Sequence, residues 1–355
     1  MTLRRRIDVH HHAIPRAFVR AADAMQLSHV GGAPLPVWSP ERSLAVMDDN
    51  DIETALLSLS SPGVYFGDAN AATTLARECN EELATVMQAH PRRFGVFAVL
   101  PLPMPELACK EAIHALDVLR LDGIVLLASV DGVFLGDARY EELMAELDRR
   151  SATVFVHPNL HATSETLGLP APGFLIEFLC DTSRAALNLV LTGTMERYPN
   201  IRFILAHAGG FIPYIGWRLS LANMMPPFDE QAPQGVLHYL RRFYFDTALS
   251  PGAPTLAALR ELADPDHILF GSDFPFAPPP ITALQTKALE ESALLDETQH
   301  RAMSRENALR LFPRLALASE SPGVVAVPTH ESLAQRAGRM VRRPLVLLAD
   351  QLRRR

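Results

Sequence analysis

Residues 5–15 read RRIDVHHHAIP. His10, His11 and His12 close a short apolar run that starts at Ile7. On an extended strand, successive side chains leave on opposite faces, so His10 and His12 share one face and His11 takes the other. A strand ending in a His-x-His pair can aim two imidazole nitrogens at one ion. The apolar surroundings set this run apart from an expression tag, which sits in a Gly/Ser leader.

Working outward, seven more runs of the same kind recur: Thr54–Leu59, Phe94–Leu100, Gly123–Leu127, Thr153–Val156, Phe203–Ala206, Phe243–Asp246 and Ile268–Gly271. Helical patterns separate them, over Ala71–His90, Pro105–Arg120, Ala138–Arg150, Phe174–Tyr198, Ile212–Met225, Pro254–Ala263 and Thr282–Leu295, with Glu297–Leu311 last. Strands without polar alternation, each followed by a helix, mean a parallel sheet covered on both faces. Eight such units predict an α/β fold of the (β/α)8 TIM-barrel type. An open doubly wound sheet stops at five to seven strands as a rule, and no GxGxxG follows the first strand to suggest a dinucleotide site.

Two segments fall outside the repeat. Residues 16–46 form an excursion after strand one and read as a lid or small subdomain. Residues 316–355 form a C-terminal extension, with a Pro/Gly/Ser linker (SESPGVVAVP) and a basic-apolar end (RRPLVLLADQLRRR) that reads as a surface or docking helix. The expected organisation is one barrel domain over 1–315 plus that tail.

The chain has 355 residues, 48% hydrophobic and 21% charged, enough for a sizeable core. A net charge of −7 argues against nucleic acid as a partner. Cys79, Cys109 and Cys180 are widely spaced with no CxxC, as in a reducing compartment, here the cytoplasm. No leader and no long apolar run is apparent, so no membrane partner is expected.

In a (β/α)8 barrel the chemistry sits where the strands end. Strand one ends in His10-His11-His12, strand five in His157, strand six in His207, and strand eight in Ser272-Asp273. Two or three imidazoles with a carboxylate suit zinc, and also manganese or iron. The chain has only two lysines, Lys110 and Lys287, both in helical stretches. That excludes a Schiff-base lysine and a lysine carbamate bridging two metals, and with nothing obvious in LLASVDG at the end of strand four to bridge a second ion, a single-metal site is the better reading. His207, followed by Ala208-Gly209-Gly210, reads better as an acid/base or hydrogen-bonding group than as a further ligand. Phe66, Phe276 and Trp38 are candidates for a flat apolar wall.

At these residues the sequence resembles the amidohydrolase-related family typified by aminocarboxymuconate-semialdehyde decarboxylase and the hydroxybenzoate decarboxylases. The matching motifs are IDVHHHAIP (7–15), FVHPN (155–159), ILAHAGG (204–210) and FGSDFPF (270–276), and the likeness spans about residues 5–313. Within the family, SSPGVYFGD, DGIVLLAS and APGFLIEFLCDTSRAALNLVLTG look most like the 6-methylsalicylate decarboxylase branch.

The resemblance implies a distorted (β/α)8 barrel with one divalent metal on His10, His12, His157 and Asp273. His207 and Asp273 are then the catalytic pair, with Asp273 delivering a proton as carbon dioxide leaves. It also implies a homodimer, or a dimer of dimers, in which Arg218 reaches the neighbour's substrate. From the candidate wall, Phe276 is the expected substrate contact. The implied activity is non-oxidative decarboxylation of a small aromatic carboxylate such as an ortho-hydroxybenzoate. Hydrolysis of a small lactone or amide at the same metal is the alternative. In PERSLAVMD, Arg42 stands one place out of step with the semialdehyde decarboxylases, which argues against a semialdehyde substrate. A His-x-His start, where some relatives have Glu-x-His, leans the metal toward zinc, with manganese second.

Overall fold

A computed structural model describes residues 5–316. The residues beyond 316, where the expected C-terminal extension falls, lie outside the described residues. Eight strands form one sheet: β1 (Arg6–His12), β2 (Ile52–Ser58), β3 (Phe94–Val99), β4 (Gly123–Leu127), β5 (Thr153–His157), β6 (Arg202–Leu205), β7 (Tyr244–Asp246) and β8 (Ile268–Leu269). They follow one another around the sheet in sequence order, and every pairing is parallel. The first and last strands meet through Val9 N–H to Phe270 O (3.0 Å), Asp273 N–H to His10 O (2.8 Å) and His12 N–H to Phe274 O (2.6 Å). The sheet thus comes round to a barrel of the expected class, and His10, His12 and Asp273 all lie on its closing seam.

Burial on both faces explains why these strands lack polar alternation. One layer of side chains fills the barrel, among them Val9, Leu56, Phe97, Val125, Phe155, Ile204 and Leu269. Phe97 and Phe155 stack there with ring centroids 5.5 Å apart. The other layer, including Val96, Leu126, Val154, Phe203 and Phe245, packs against the surrounding helices. The alternation of faces thus sorts each strand into a barrel-filling set and a helix-facing set.

Several helices differ from their expected limits for local reasons. The stretch expected over Phe174–Tyr198 breaks into Glu177–Leu191 and Thr194–Arg197, because Gly193 between them has φ 74°. The helix expected to run to Arg120 is α-helical only over Pro105–Ile113 and finishes as a wider π turn through Val118. The one expected over 282–295 starts earlier, at Pro279, where a missing N–H costs nothing, and stops at Glu290. The excursion after β1 contains helices Arg16–Ala24 and Pro40–Asp49 around a two-stranded hairpin of His29–Val30 and Ala33–Pro34. That hairpin lies against the start of helix Glu177–Leu191: Phe174 N–H donates to Gly31 O at 3.0 Å, and a β-carbon on Gly31 would touch the Phe178 ring at 2.8 Å. No helix among the described residues is long and apolar enough to cross a membrane.

Candidate metal centre

Strand alternation sorts the three histidines physically. Nε2 of His10 and Nε2 of His12 lie 3.0 Å apart, and both face Oδ1 of Asp273, at 3.2 and 3.1 Å. His157 arrives from the end of β5, and one donor atom from each of His10, His12, His157 and Asp273 falls within 4.8 Å of the others. All four residues are buried. His11 points away, donating or accepting between Asp8 Oδ2 (3.0 Å) and Ser43 Oγ (2.9 Å), where Ser43 also takes the Trp38 indole N–H at 2.9 Å. Trp38 is thereby committed to this buried network.

Each inward imidazole is held from behind. His10 Nδ1 donates to Asp246 Oδ2 at 2.7 Å, His12 Nδ1 meets Ser58 Oγ at 3.0 Å, and His157 Nδ1 donates to Pro158 O at 2.8 Å. An acceptor behind Nδ1 keeps the proton there and leaves the Nε2 lone pair toward the centre, the arrangement metal-ligating histidines adopt. Asp8 ties the seam together from beneath: its two oxygens accept from the backbone N–H groups of His10 and Ser272 and from the Ser272 hydroxyl. Asp8, although inside IDVHHHAIP, and Asp246 have no role assigned from the sequence. The one available signal was that Asp246 ends its strand at the level where the other strands end in histidine.

The electrostatics favour a cation. Burial opposes charge on His10, yet the carboxylates of Asp246 and Asp273 raise it to about 10. Burial lowers His12 despite its hydrogen bond with Asp273, and lowers His157 strongly, with the neighbouring imidazoles adding to the effect. Burial also opposes ionising Asp273, but His10, with hydrogen bonds from His12 and His207, holds its carboxyl well below the usual range. Two neutral imidazoles, a carboxylate and a third imidazole placed where positive charge is stabilised suit a borderline divalent ion. The donor set present here therefore fits such an ion.

His207 stands just outside the four. Its Nε2 is 3.6 Å from Asp273 Oδ2, its backbone N–H donates to Asp246 Oδ1 at 2.9 Å, and its Nδ1 is buried without a hydrogen-bond partner. The backbone here is unusual: His207 and Ala208 have φ of 55° and 56°, followed by Gly209 and Gly210 at 74° and 63°. A side chain on Gly210 would strike Leu179 O at 2.4 Å, so the second glycine is required. Non-glycine residues in the left-handed region are costly and gather at functional sites. Phe276 is half-buried, with its ring 5.5 Å from that of His12 and nearly perpendicular. Phe66 is 40% exposed. Arg218 is exposed on helix Ile212–Leu219, so the structure does not bring it into the cluster of this chain.

With this geometry in view, the sequence profile of the amidohydrolase family matches residues 7–314. The chain belongs to the amidohydrolase family. Among curated amidohydrolase relatives, 6-methylsalicylic acid decarboxylase of Aspergillus aculeatus is 38% identical over 335 residues, 90% of this chain and 99% of that protein. The enzyme of the same name from Penicillium expansum is 36% identical over 319 residues, 87% and 97% of the two chains. Among solved structures, an amidohydrolase II aligns with TM-score 0.82 at 32% identity, covering 87% of this chain and 99% of its own. Dihydroxybenzoic acid decarboxylase of Polaromonas sp. JS666, solved with manganese and 2-nitroresorcinol, aligns with TM-score 0.75 at 24% identity, covering 87% and 97%.

Proposed function

We propose that this amidohydrolase is a metal-dependent, non-oxidative decarboxylase, a carboxy-lyase acting on a small ortho-hydroxybenzoate such as 6-methylsalicylic acid. The observation that carries this reading is the set of three back-held imidazoles and Asp273 converging beside a histidine with an uncommitted nitrogen. The curated relatives, near full-length matches named as decarboxylases, favour it over lactone or amide hydrolysis.

In this reading His10, His12, His157 and Asp273 hold one divalent ion. The chemistry supplied by a bound ion is Lewis-acid neutralisation of the substrate's carboxylate and ortho-oxygen. Asp273 takes the ortho-hydroxyl proton as the substrate settles. It then passes that proton to the ring carbon bearing the carboxylate. The ring–carboxylate bond breaks, its electron pair restores the aromatic ring, and carbon dioxide leaves; the product phenolate regains a proton from water. His207, with Nδ1 free and Nε2 beside Asp273, positions a substrate oxygen and the aspartate. Phe276 presents a ring edge to the bound aromatic, and residues 16–46 act as the lid of one barrel domain.

The ion is zinc in this reading, on the strength of three imidazoles and one carboxylate. Manganese is the second choice, given the manganese in the Polaromonas enzyme. The chain acts as a homodimer, with Arg218 serving the neighbouring site: Tyr214 (84% exposed) and Trp217 (75%) lie beside it on the same helix, more apolar surface than a lone chain would leave bare. Three free thiols fit a cytoplasmic enzyme. The test is a panel of ortho-hydroxybenzoates and simple lactones given to protein reconstituted with zinc or with manganese. Carbon dioxide release without lactone opening supports the reading, and lactone opening with inert benzoates refutes it.

A further inference from the structure

The strand ends around the barrel mouth divide into two arcs. From β5 through β8 to β1 they carry His157, His207, Asp246, Asp273, His10 and His12. From β2 through β4 they carry no ionisable group and instead border a cavity of about 20 Å³. Its walls come from Leu59, Val64, Tyr65, Val99, Val125 and Leu127, among other apolar residues. A space of that size holds a single water-sized or methyl-sized group, and its walls are mostly apolar.

This cavity shares no wall residue with the metal centre but lies one strand from His157. Leu127 is the register partner of His157 across β4 and β5, and residues paired this way in a sheet project from the same face. The loop that roofs the cavity also touches the centre: Ser60 Oγ lies 3.5 Å from His157 Nε2. The loop then turns at Gly63, with φ 77°, where a β-carbon would stand 2.9 Å from Leu127 Cδ1. Glycine there lets the roof close down on the wall.

We propose that this cavity receives the substituent at ring position 6, and that Val64, Val99 and Leu127 limit it to one methyl group. The proposal rests on the ortho-hydroxybenzoate reading above. With carboxylate and ortho-hydroxyl directed at the polar arc, the other ortho position of a flat ring points sideways, beside the carboxylate, and the apolar arc flanks the centre where Leu127 pairs with His157. A methyl group there gains dry contact. A hydroxyl at the same position gives up water for walls of mostly apolar side chains and is disfavoured.

The test compares kcat and KM for salicylate, 6-methylsalicylate, 6-ethylsalicylate and 2,6-dihydroxybenzoate on metal-reconstituted protein, Val99→Ile and Leu127→Val. Calorimetric binding of 2-nitrophenol and 3-methyl-2-nitrophenol supplies a readout that needs no turnover. One methyl group in an apolar pocket is worth roughly 10- to 200-fold in discrimination. The wild-type chain is expected to favour the methyl compounds over their unsubstituted counterparts by at least the lower figure. Val99→Ile, which adds a methyl at the wall, should collapse that ratio. Leu127→Val, which removes one, should move preference toward the ethyl compound. Structural damage alone would depress all four substrates in proportion and leave the ratios in place. Ratios unmoved in both variants, or a wild type blind to the methyl group while still releasing carbon dioxide, would overturn the proposal and spare the decarboxylase reading. No carbon dioxide from any of the four would bring down both.

Discussion

Asp246 Oδ2 accepts the Nδ1 proton of His10 at 2.7 Å, and the same carboxylate's Oδ1 accepts the backbone N–H of His207 at 2.9 Å. One buried side chain at the end of β7 thus orients the proposed ligand His10 and sets the turn that carries the acid/base candidate. Asp246→Asn keeps the shape but removes the charge and one acceptor. Loss of such a partner typically costs about 10- to 100-fold in metal affinity or activity. Chelator competition on the variant and the parent chain checks this, and equal affinities would show that Asp246 only packs.

His11 and His12 are neighbours with separate duties. His11→Ala leaves Asp8 and Ser43 short of a partner in a dry interior, a loss of about 1–3 kcal/mol. It is expected to lower the unfolding midpoint while keeping one metal per chain. His12→Ala is expected to lose the metal. Metal content by mass spectrometry beside thermal unfolding separates the two; metal loss in His11→Ala would refute the assignment of faces.

Removing the ion should destabilise the fold. Only the native chain brings four buried donors together, so an ion present at 1,000 times its dissociation constant adds about 4 kcal/mol. Chelation should lower the melting temperature and added zinc or manganese should restore it. A midpoint indifferent to both would argue against any ion at this centre.

His207→Ala should leave metal content intact and lower kcat by about 10²- to 10³-fold, the usual cost of removing one donor that positions a reacting oxygen. Metal content measured beside kcat decides it. A joint loss of metal and activity would instead make His207 a ligand.

Tyr214→Asp combined with Trp217→Asp should convert a dimer to a monomer by light scattering, and lower activity if Arg218 serves the neighbouring site. A parent chain that is already monomeric would remove the role given to Arg218.

The barrel was legible because strands buried on both faces read as unbroken apolar runs, and because the strand ends are the one level where histidine and aspartate recur. The facing of His10 against His11 follows from alternation alone. Asp8 and Asp246 were not legible, since a single aspartate in IDVH or FYFD looks like any other until the strands are paired. Nor could AHAGG announce that His207 and Ala208 both adopt positive φ, ahead of a Gly210 whose missing side chain leaves room for Leu179 and Ser183. The apolar arc is hidden in the sequence for a related reason: Val99 and Leu127 are ordinary core residues there, and only the strand register, which sets Leu127 beside His157, brings them near the centre.

The most direct measurement is the fate of 6-methylsalicylic acid in heavy water with the zinc- or manganese-reconstituted protein. The account predicts one equivalent of carbon dioxide and 3-methylphenol carrying a single deuterium at the ring carbon that held the carboxylate, with both products absent from Asp273→Asn. Intact acid beside a fully metallated protein that opens lactones would contradict it.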